Sequence, residues 1–134
     1  MDQLALPGEV IVVHWDHIHL RVGDPDAVAA WFEAMLGAEP LRAPGRVDVL
    51  LGGQKIFLLK APGTDKPSPA HPHRRVAHFG LSVDDIDQVA AHLKTKGIRF
   101  TAEPHTPRPG IRIAFIEGPE GISIEILERD EKYT

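Results

Sequence analysis

Hydrophobic and polar residues alternate near the start of the chain. The alternation gives a strand two faces, one with Ile18, Leu20 and Val22 and the other with His17, His19 and Arg21. The residues before it, from Val10 onward, are rich in β-branched side chains, which favour strands. We therefore predict a strand over residues 10–22 with a polar face that carries two histidines.

A helix is predicted directly after this strand. Asp24-Pro25 is a strong helix start, because Asp accepts hydrogen bonds from the free amides of the first turn and Pro loses none there. An apolar stripe at steps of three and four extends to about Leu36, and Gly37 suits a left-handed stop. The sequence thus predicts a helix of about three turns that buries one face.

Short strands are predicted after the helix, over residues 39–41, 47–51 and 54–59. Gly52-Gly53 joins the last two as a tight hairpin, because both residues adopt positive φ without penalty. The first unit therefore reads βαβββ.

The second half of the chain repeats the first. His78 stands 61 residues after His17, and at the same offset Leu20, Val22 and Asp26 fall on Leu81, Val83 and Asp87. The order of elements also recurs: a strand over 76–83, a helix capped by Asp84 or Asp85, a short strand over 98–101, a Pro-rich loop over 103–110, and a hairpin of 111–117 with 121–128. We predict an α+β fold of two βαβββ modules in one domain, residues 1–134, with module one at 10–60, a linker at 61–75 and module two at 76–128.

Composition narrows the class of protein. A chain of 134 residues that is 43% hydrophobic buries one ordinary core. Its net charge of -4 offers no basic surface for nucleic acid, and it has no Cys for disulfides or thiolate ligands. No apolar run approaches the ~20 residues that span a bilayer, and the N-terminus lacks the pattern of a signal peptide. We expect a cytoplasmic protein without a nucleic-acid or membrane partner.

Alternation also selects a candidate metal site. His78 and Gly80 lie on the polar face of the first strand of module two, and Glu125 is left opposite its isoleucine neighbours. If helices cover the apolar faces, the polar faces form a cup in which His17, His78 and Glu125 converge. Two imidazoles and one carboxylate suit Mn²⁺, Fe²⁺, Ni²⁺, Co²⁺ or Zn²⁺, and leave coordination positions for water and a chelating substrate.

The chain resembles the vicinal oxygen chelate superfamily, which includes glyoxalase I, methylmalonyl-CoA epimerase, fosfomycin-resistance thiol transferases, extradiol dioxygenases and bleomycin-resistance proteins. The resemblance covers about residues 11–128 and rests on the motifs DHIHLRVGD at 16–24, AHFGLSVDD at 77–85 and AFIEGPEGISIEI at 114–126. It implies paired βαβββ modules around a U-shaped metal cup, usually in a homodimer whose protomers in some members share modules.

The sequence departs from the family pattern at Phe57. Aligning the two hairpins by Gly53 and Gly121 places Phe57 where Glu125 stands. Glyoxalase I and methylmalonyl-CoA epimerase resemble each other in having a Glu or Gln ligand there, which also serves glyoxalase I in proton transfer. Phe57 does neither, so the resemblance implies a three-ligand site like that of the thiol transferases and dioxygenases. The ring-cleaving dioxygenases are mostly about twice this length.

Proton transfer would then need another base. His19 shares the face of His17 and is a candidate for this role or for a substrate contact, the alternative being a polar wall residue. His73 and His105 are further candidates on predicted loops, the alternative being ordinary solvent exposure.

Four residues are candidates for substrate binding, each with a plainer alternative. Arg21 and Arg112 suit an anionic substrate group, because guanidinium binds carboxylate or phosphate in bidentate fashion, or they are ordinary solvated arginines. Trp15 and Phe57 stack a ring or line a pocket, or they pack in the core.

The favoured function is that of a metal-dependent enzyme with glyoxalase-like lyase or isomerase chemistry. Its divalent metal would bind two neighbouring oxygens of a small substrate and stabilise an enolate, alkoxide or oxyanion. Alternatives are thiol addition to an epoxide antibiotic, as in fosfomycin resistance, and oxygen-dependent cleavage with Fe²⁺. A non-enzymatic alternative is a drug-sequestering protein of the bleomycin-resistance type, but members of that kind generally lack the ligands.

Overall fold

The computed structural model describes residue 12 and residues 14–63 and 76–130. Module one contains β1 (His17–Val22), α1 (Pro25–Leu36), β2 (Glu39–Ala43), β3 (Arg46–Leu51) and β4 (Gln54–Lys60). Module two contains β5 (Phe79–Ser82), α2 (Ile86–Thr95), β6 (Phe100–Arg108), β7 (Ile111–Glu117), a short 3-10 turn (Pro119–Gly121) and β8 (Ser123–Arg129). The predicted α+β fold of two βαβββ modules is confirmed. Residues 1–11, most of the predicted linker and the C-terminal four residues lie outside the described part.

Each module forms its own four-stranded sheet. The strand orders are β1-β4-β3-β2 and β5-β8-β7-β6, so the first strand of each module pairs with the last. These two pairings are parallel, and the other strands pair antiparallel as hairpins. The two modules therefore carry equivalent residues at equivalent places.

The helix ends follow the predicted local chemistry. The Asp24 side chain accepts a hydrogen bond from the Ala27 amide, and Gly37 takes a left-handed conformation after the last turn of α1. In α2 the cap is Asp85, which accepts from the Gln88 amide. The turn between β3 and β4 has positive φ at both of its glycines, as predicted.

Two strand predictions needed correction. β1 begins at His17 rather than at residue 10, and the segment 14–16 before it is not a strand. Residues 103–108, predicted as a Pro-rich loop, belong to β6. Pro104 and Pro107 are tolerated there because β6 is an edge strand, and its pairing with β7 shifts register three times. The prolines thus mark an irregular edge rather than a loop.

One apolar core joins the modules. The helix-facing sides of both sheets and the buried faces of both helices form a single cluster, in which Phe32, Ile86, Ile116 and Ile124 are completely buried. Burial of this apolar surface is the main term that stabilises the fold. The helices therefore lie inside the pair of sheets, and the opposite sheet faces remain open.

Module two holds both ends of α1 through an arrangement that we call the α1 clamp. At the N-terminus, the Glu120 carboxylate accepts hydrogen bonds from the Gly23 amide at 2.9 and 3.1 Å and from the Asp24 amide at 3.1 Å. At the C-terminus, Lys96 Nζ donates to the carbonyls of Ala34 at 2.8 Å and Met35 at 3.4 Å. An anion at the N-terminus and a cation at the C-terminus both complement the helix dipole. The clamp fixes how the modules sit in one chain.

No helix in the described ranges is long and apolar enough to cross a membrane.

Candidate metal centre

His78 and Glu125 lie side by side in module two. Glu125 pairs with Gly80 across the parallel β5–β8 ladder, and His78 precedes β5 on the same face. The His78 Nε2 and Glu125 Oε1 atoms are 3.5 Å apart, and the edge of Phe115 contacts the His78 ring at 5.0 Å between centroids. We call His78, Gly80, Phe115 and Glu125 the module-two half-site.

Gly80 makes room for the Glu125 carboxylate. A Cβ added at Gly80 would lie 3.2 Å from Glu125 Oε1 and 3.1 Å from Leu127 Cδ2, both closer than ordinary van der Waals contact. Any side chain at this position would displace either neighbour. The glycine therefore opens a notch in the sheet in which the carboxylate lies beside His78.

The module-two half-site fits two ligands of a divalent metal. Two atoms that each lie about 2.1 Å from a tetrahedral metal are about 3.4 Å apart, close to the observed separation of Nε2 and Oε1. The Glu125 side chain is only 20% exposed, yet among the described residues it accepts no hydrogen bond. A carboxylate so placed is costly unless a cation compensates it.

His17 in module one is oriented by its neighbour. Its Nδ1 lies 2.8 Å from Asp16 Oδ2, and this hydrogen bond is the main cause that lowers the pKa of the exposed Asp16 carboxyl. An ionised carboxylate only accepts, so Nδ1 carries the proton in the pair and Nε2 of neutral His17 is left with its lone pair. Metal-binding histidines are commonly oriented by such a carboxylate.

Phe57 packs between His17 and Arg46. The His17 and Phe57 rings are stacked, with centroids 4.0 Å apart and planes within 15°, and the Arg46 guanidinium carbon lies 4.4 Å from the Phe57 centroid. Two groups this close to one centroid occupy opposite faces of the ring. We call His17, His19, Arg46 and Phe57 the module-one half-site.

The structure does not bring the two half-sites together in one chain. Of the three predicted ligands, His78 and Glu125 are adjacent, whereas His17 belongs to the other sheet. Within residues 12, 14–63 and 76–130, no three His, Asp or Glu side chains are grouped closely enough to hold a metal ion. One chain therefore places the three predicted ligands in two separate groups, two of them in module two and one in module one.

The other predicted histidines have separate positions. His19 lies on the face of His17, with its ring 6.2 Å from that of Phe57. His105 belongs to β6 rather than to a loop, where its Nδ1 donates to the Glu103 carbonyl at 2.7 Å. His73 lies outside the described residues.

The predicted substrate-binding residues differ in their surroundings. Arg21 is exposed on the His17 face of β1, and Trp15 is 73% exposed just before that strand, so it does not pack in the core. The Arg112 guanidinium binds Asp87 of α2 at 2.7 Å, on the opposite face of β7 from Phe115. The structure therefore does not bring Arg112 to the half-site.

Four residues in or beside the half-sites were not singled out from the sequence as candidates: Asp16, Gly80, Phe115 and Arg46. Asp16 directly precedes His17, and this adjacency is a signal in the sequence. Gly80 was placed on the correct face, but its role depends on the register with Glu125. The sequence alone did not indicate Arg46, because its contact with Phe57 depends on the pairing of β3 with β4.

Comparison with known proteins agrees with this architecture. Residues 14–126 match the model of the Glyoxalase/Bleomycin resistance protein/Dioxygenase superfamily. The chain belongs to this superfamily, whose members include enzymes and drug-binding resistance proteins, and the resemblance of its motifs is confirmed.

Several relatives of the chain are named as enzymes, and the chain spans only about a third of the length of one of them. The chain is 31% identical over 125 residues to the probable chloroplastic lactoylglutathione lyase of Arabidopsis thaliana, covering 84% of this chain but only 35% of that protein. It is 29% identical over 128 residues to the probable lactoylglutathione lyase of Synechocystis, covering 87% and 95%. The fosfomycin resistance protein FosX of Listeria monocytogenes shares the fold, with a TM-score of 0.70 and 14% identity over 91% of this chain and 98% of FosX.

Proposed function

We propose that this protein is a metal-dependent enzyme with glyoxalase-like lyase or isomerase chemistry on a small substrate that chelates the metal through neighbouring oxygens. The observation that carries the proposal is the pair of His78 and Glu125, 3.5 Å apart, with Glu125 mostly buried beside the Gly80 notch. The relatives named lactoylglutathione lyase support the reaction class.

The third ligand in this proposal is His17 of a second copy of the chain. The α1 clamp holds the modules so that His17 does not reach Glu125 of its own chain, whereas a two-fold dimer pairs the module-one half-site of one copy with the module-two half-site of the other. Among the residues that the structure describes, four large apolar side chains are exposed: Val12, Trp15, Leu59 and Val76. Trp15 and Val76 each lie two residues before a proposed ligand, which favours burial against a partner there.

The chain's own residues orient and enclose the substrate. His17, His78 and Glu125 would hold a divalent metal, which would supply Lewis-acid stabilisation of negative charge on a substrate oxygen. Asp16 keeps the His17 proton on Nδ1, and Phe57 and Phe115 give the half-sites apolar walls that exclude water. His19 is the nearest histidine to Phe57 other than His17 in the described chain and is our candidate for holding the transferred proton.

A second candidate reaction is thiol addition to an epoxide. It is favoured by Phe57, which occupies the position of a proton-handling carboxylate but stacks on His17 instead. A reaction that needs no proton abstraction from carbon tolerates this residue better than an isomerisation does.

Metal content in single and mixed variants tests the ligand set. We expect His17→Ala and Glu125→Ala to lose metal, while the surface variants His92→Ala and Glu117→Ala retain it. Refolding the two ligand variants together restores about a quarter of the wild-type metal content, because half the dimers are mixed and each has one complete site. Unchanged metal content in both ligand variants contradicts the triad, and loss in both without restoration contradicts the shared site.

An activity panel separates the reactions. The metal-loaded protein is assayed with a hemithioacetal, with an epoxide and a thiol, and with a catechol under air. We expect turnover of the hemithioacetal. Turnover of the epoxide alone selects the second candidate, and inactivity with all three substrates contradicts the proposed enzyme.

A further inference from the structure

Arg46 is held in a fixed orientation by two neighbours. Its Nε donates to both oxygens of Asp48, at 2.9 and 3.2 Å, and its guanidinium carbon lies over the Phe57 ring, 4.4 Å from the centroid. Asp48 is itself fixed, because its side chain is 13% exposed and Oδ1 also accepts from the Leu58 amide. The rotamer entropy of Arg46 is therefore already lost before any ligand binds.

The outer edge of Arg46 is available for a ligand. Among the residues that the structure describes, Arg46 makes hydrogen bonds only through Nε, so the N–H groups of Nη1 and Nη2 have no protein acceptor there. The side chain is 49% exposed. These two nitrogens form the fork that matches a carboxylate in bidentate geometry.

Arg46 lines a cavity of about 510 Å³ beside the module-one half-site, together with His19, Arg42, Phe57 and Lys60. This volume lies in the range of small-molecule sites. Phe57 separates Arg46 from the stacked His17 ring by the thickness of one aromatic side chain. A molecule bound at Arg46 thus reaches the proposed metal ligand His17 when its other end extends past the edge of the Phe57 ring.

The charges around the cavity select a single negative charge. Arg46 is neutralised by Asp48 and Arg42 by Asp26, the latter through a contact of 3.0 Å. Lys60 has no such carboxylate partner within the described ranges. One uncompensated cation remains, which suits a monoanionic carboxylate better than a doubly charged phosphonate.

We propose that Arg46 is the specificity-determining residue for a substrate carboxylate, which binds to Nη1 and Nη2 of Arg46 with Lys60 close by. The substrate class is then a carboxylic acid whose metal-chelating neighbouring oxygens are separated from this carboxylate by at least the width of the Phe57 ring, and lactate is the smallest probe of the carboxylate site. This inference rests on the proposed function for the position of those oxygens at the metal. The carboxylate-binding site formed by Arg46 and Lys60, which we call the carboxylate seat, lies entirely within module one.

Ligand binding to the full-length protein tests the seat without relying on turnover. Chemical shifts of the ¹⁵N-labelled protein are titrated with lactate, with its neutral counterpart lactamide, and with the doubly charged 2-hydroxyethylphosphonate, both metal-free and after loading with Zn²⁺. We expect lactate to bind more tightly than either analogue. Arg46→Gln should weaken lactate binding about ten- to hundredfold and leave lactamide unchanged, because charged hydrogen bonds are lost.

Two further variants keep the test decisive. Arg99→Gln removes an arginine that pairs with Glu117 at 2.7 Å outside the cavity, and it should not change lactate binding. Lys60→Gln leaves the Arg46–Asp48 pair intact and should weaken lactate several-fold, which covers the case of an unstable Arg46→Gln. Equal binding of lactate and lactamide, or lactate binding that is indifferent to both cavity variants, overturns the proposal.

Failure of the seat is distinguishable from failure of the metal centre. If Zn²⁺ does not bind but lactate binding still depends on Arg46, the proposed function fails and the seat stands. If Zn²⁺ binds through His17, His78 and Glu125 but lactate ignores Arg46, the seat fails and the metal centre stands. Tighter binding of the phosphonate than of lactate overturns the assignment of a monoanion.

Discussion

The two modules pair their first and last strands in the same register, but they carry different side chains at the equivalent pair of positions. In module one, His19 pairs with Phe57 across the parallel ladder, and in module two, Gly80 pairs with Glu125. In module one the His19 and Phe57 side chains fill this part of the sheet surface. In module two Gly80 leaves a notch beside the Glu125 carboxylate. The comparison teaches that one fold unit presents either a histidine beside a carboxylate or a histidine beside an aromatic ring, depending on one pair of facing residues.

The largest loss of metal affinity is expected when the aromatic residue of module one is introduced at the equivalent position of module two. Glu125→Phe removes the charged ligand and fills the Gly80 notch. We expect metal affinity to fall more than about 100-fold, beyond the usual cost of losing a supporting hydrogen bond. Competition titration with a chelator measures it, with Glu117→Gln as the matched surface control. Retained affinity would mean that Glu125 is not a ligand.

Closing the notch alone tests whether Gly80 is needed for ligand placement. Gly80→Ala introduces a Cβ 3.2 Å from Glu125 Oε1, so we expect metal affinity to fall about ten- to hundredfold. Overpacking against Leu127 should also lower the free energy of unfolding by about 1–3 kcal/mol. Thermal unfolding and metal titration are compared with Ser82→Ala on the same strand. A fall in stability without a change in affinity would make Gly80 a packing residue only.

Asp16→Asn tests the orientation of the single ligand in module one. The exposed carboxylate is replaced by a neutral amide, which no longer enforces the proton on His17 Nδ1. We expect metal affinity to fall by about tenfold, at the lower end of such effects because the pair is solvated. Glu33→Gln, an exposed position on α1, serves as the control. An equal loss in both variants would point to general electrostatics.

The smallest loss of metal affinity is expected from replacing the aromatic side chain of Phe57 with an aliphatic one. Phe57→Leu keeps an apolar side chain but removes the stack on His17, which is worth about 0.5–1.5 kcal/mol. We expect metal affinity to fall only a few-fold and the NMR signals of the His17 ring to broaden. Leu59→Ala, on the same face of β4, is the control. A loss as large as that of Glu125→Phe would show that Phe57 has a role beyond supporting His17.

Much of the fold was readable because local chemistry decides it. The cap at Asp24, the stop at Gly37 and the hairpin at Gly52-Gly53 each depend on a few neighbouring residues, and all are observed as predicted. β6 was misread because Pro104 and Pro107 signal a loop in sequence, whereas an edge strand has free positions for them. The difference depends on which strands lie beside it, and sequence periodicity does not contain that information.

The candidate site was readable only in part for a similar reason. Alternation assigns His17, His78 and Glu125 to polar faces, and those faces are observed. Whether two faces meet depends on how the modules pack through the shared core and through contacts distant in sequence such as those of Glu120 and Lys96. The convergence of the three predicted ligands therefore does not follow from the periodicity, and a second copy enters the proposal.

The α1 clamp has an evolutionary consequence for a chain built by duplication. Glu120 holds its position in a left-handed conformation with φ 54°, and aligning Gly53 with Gly121 places Gly52 at the corresponding point of module one. Gly52 has no carboxylate that could bind the N-terminus of α2. Module two therefore holds α1 in this way, but module one does not hold α2. The two descendants of the duplicated unit are thus no longer interchangeable, because a chain made of two copies of module one would have glycine in place of the carboxylate that holds the N-terminus of α1.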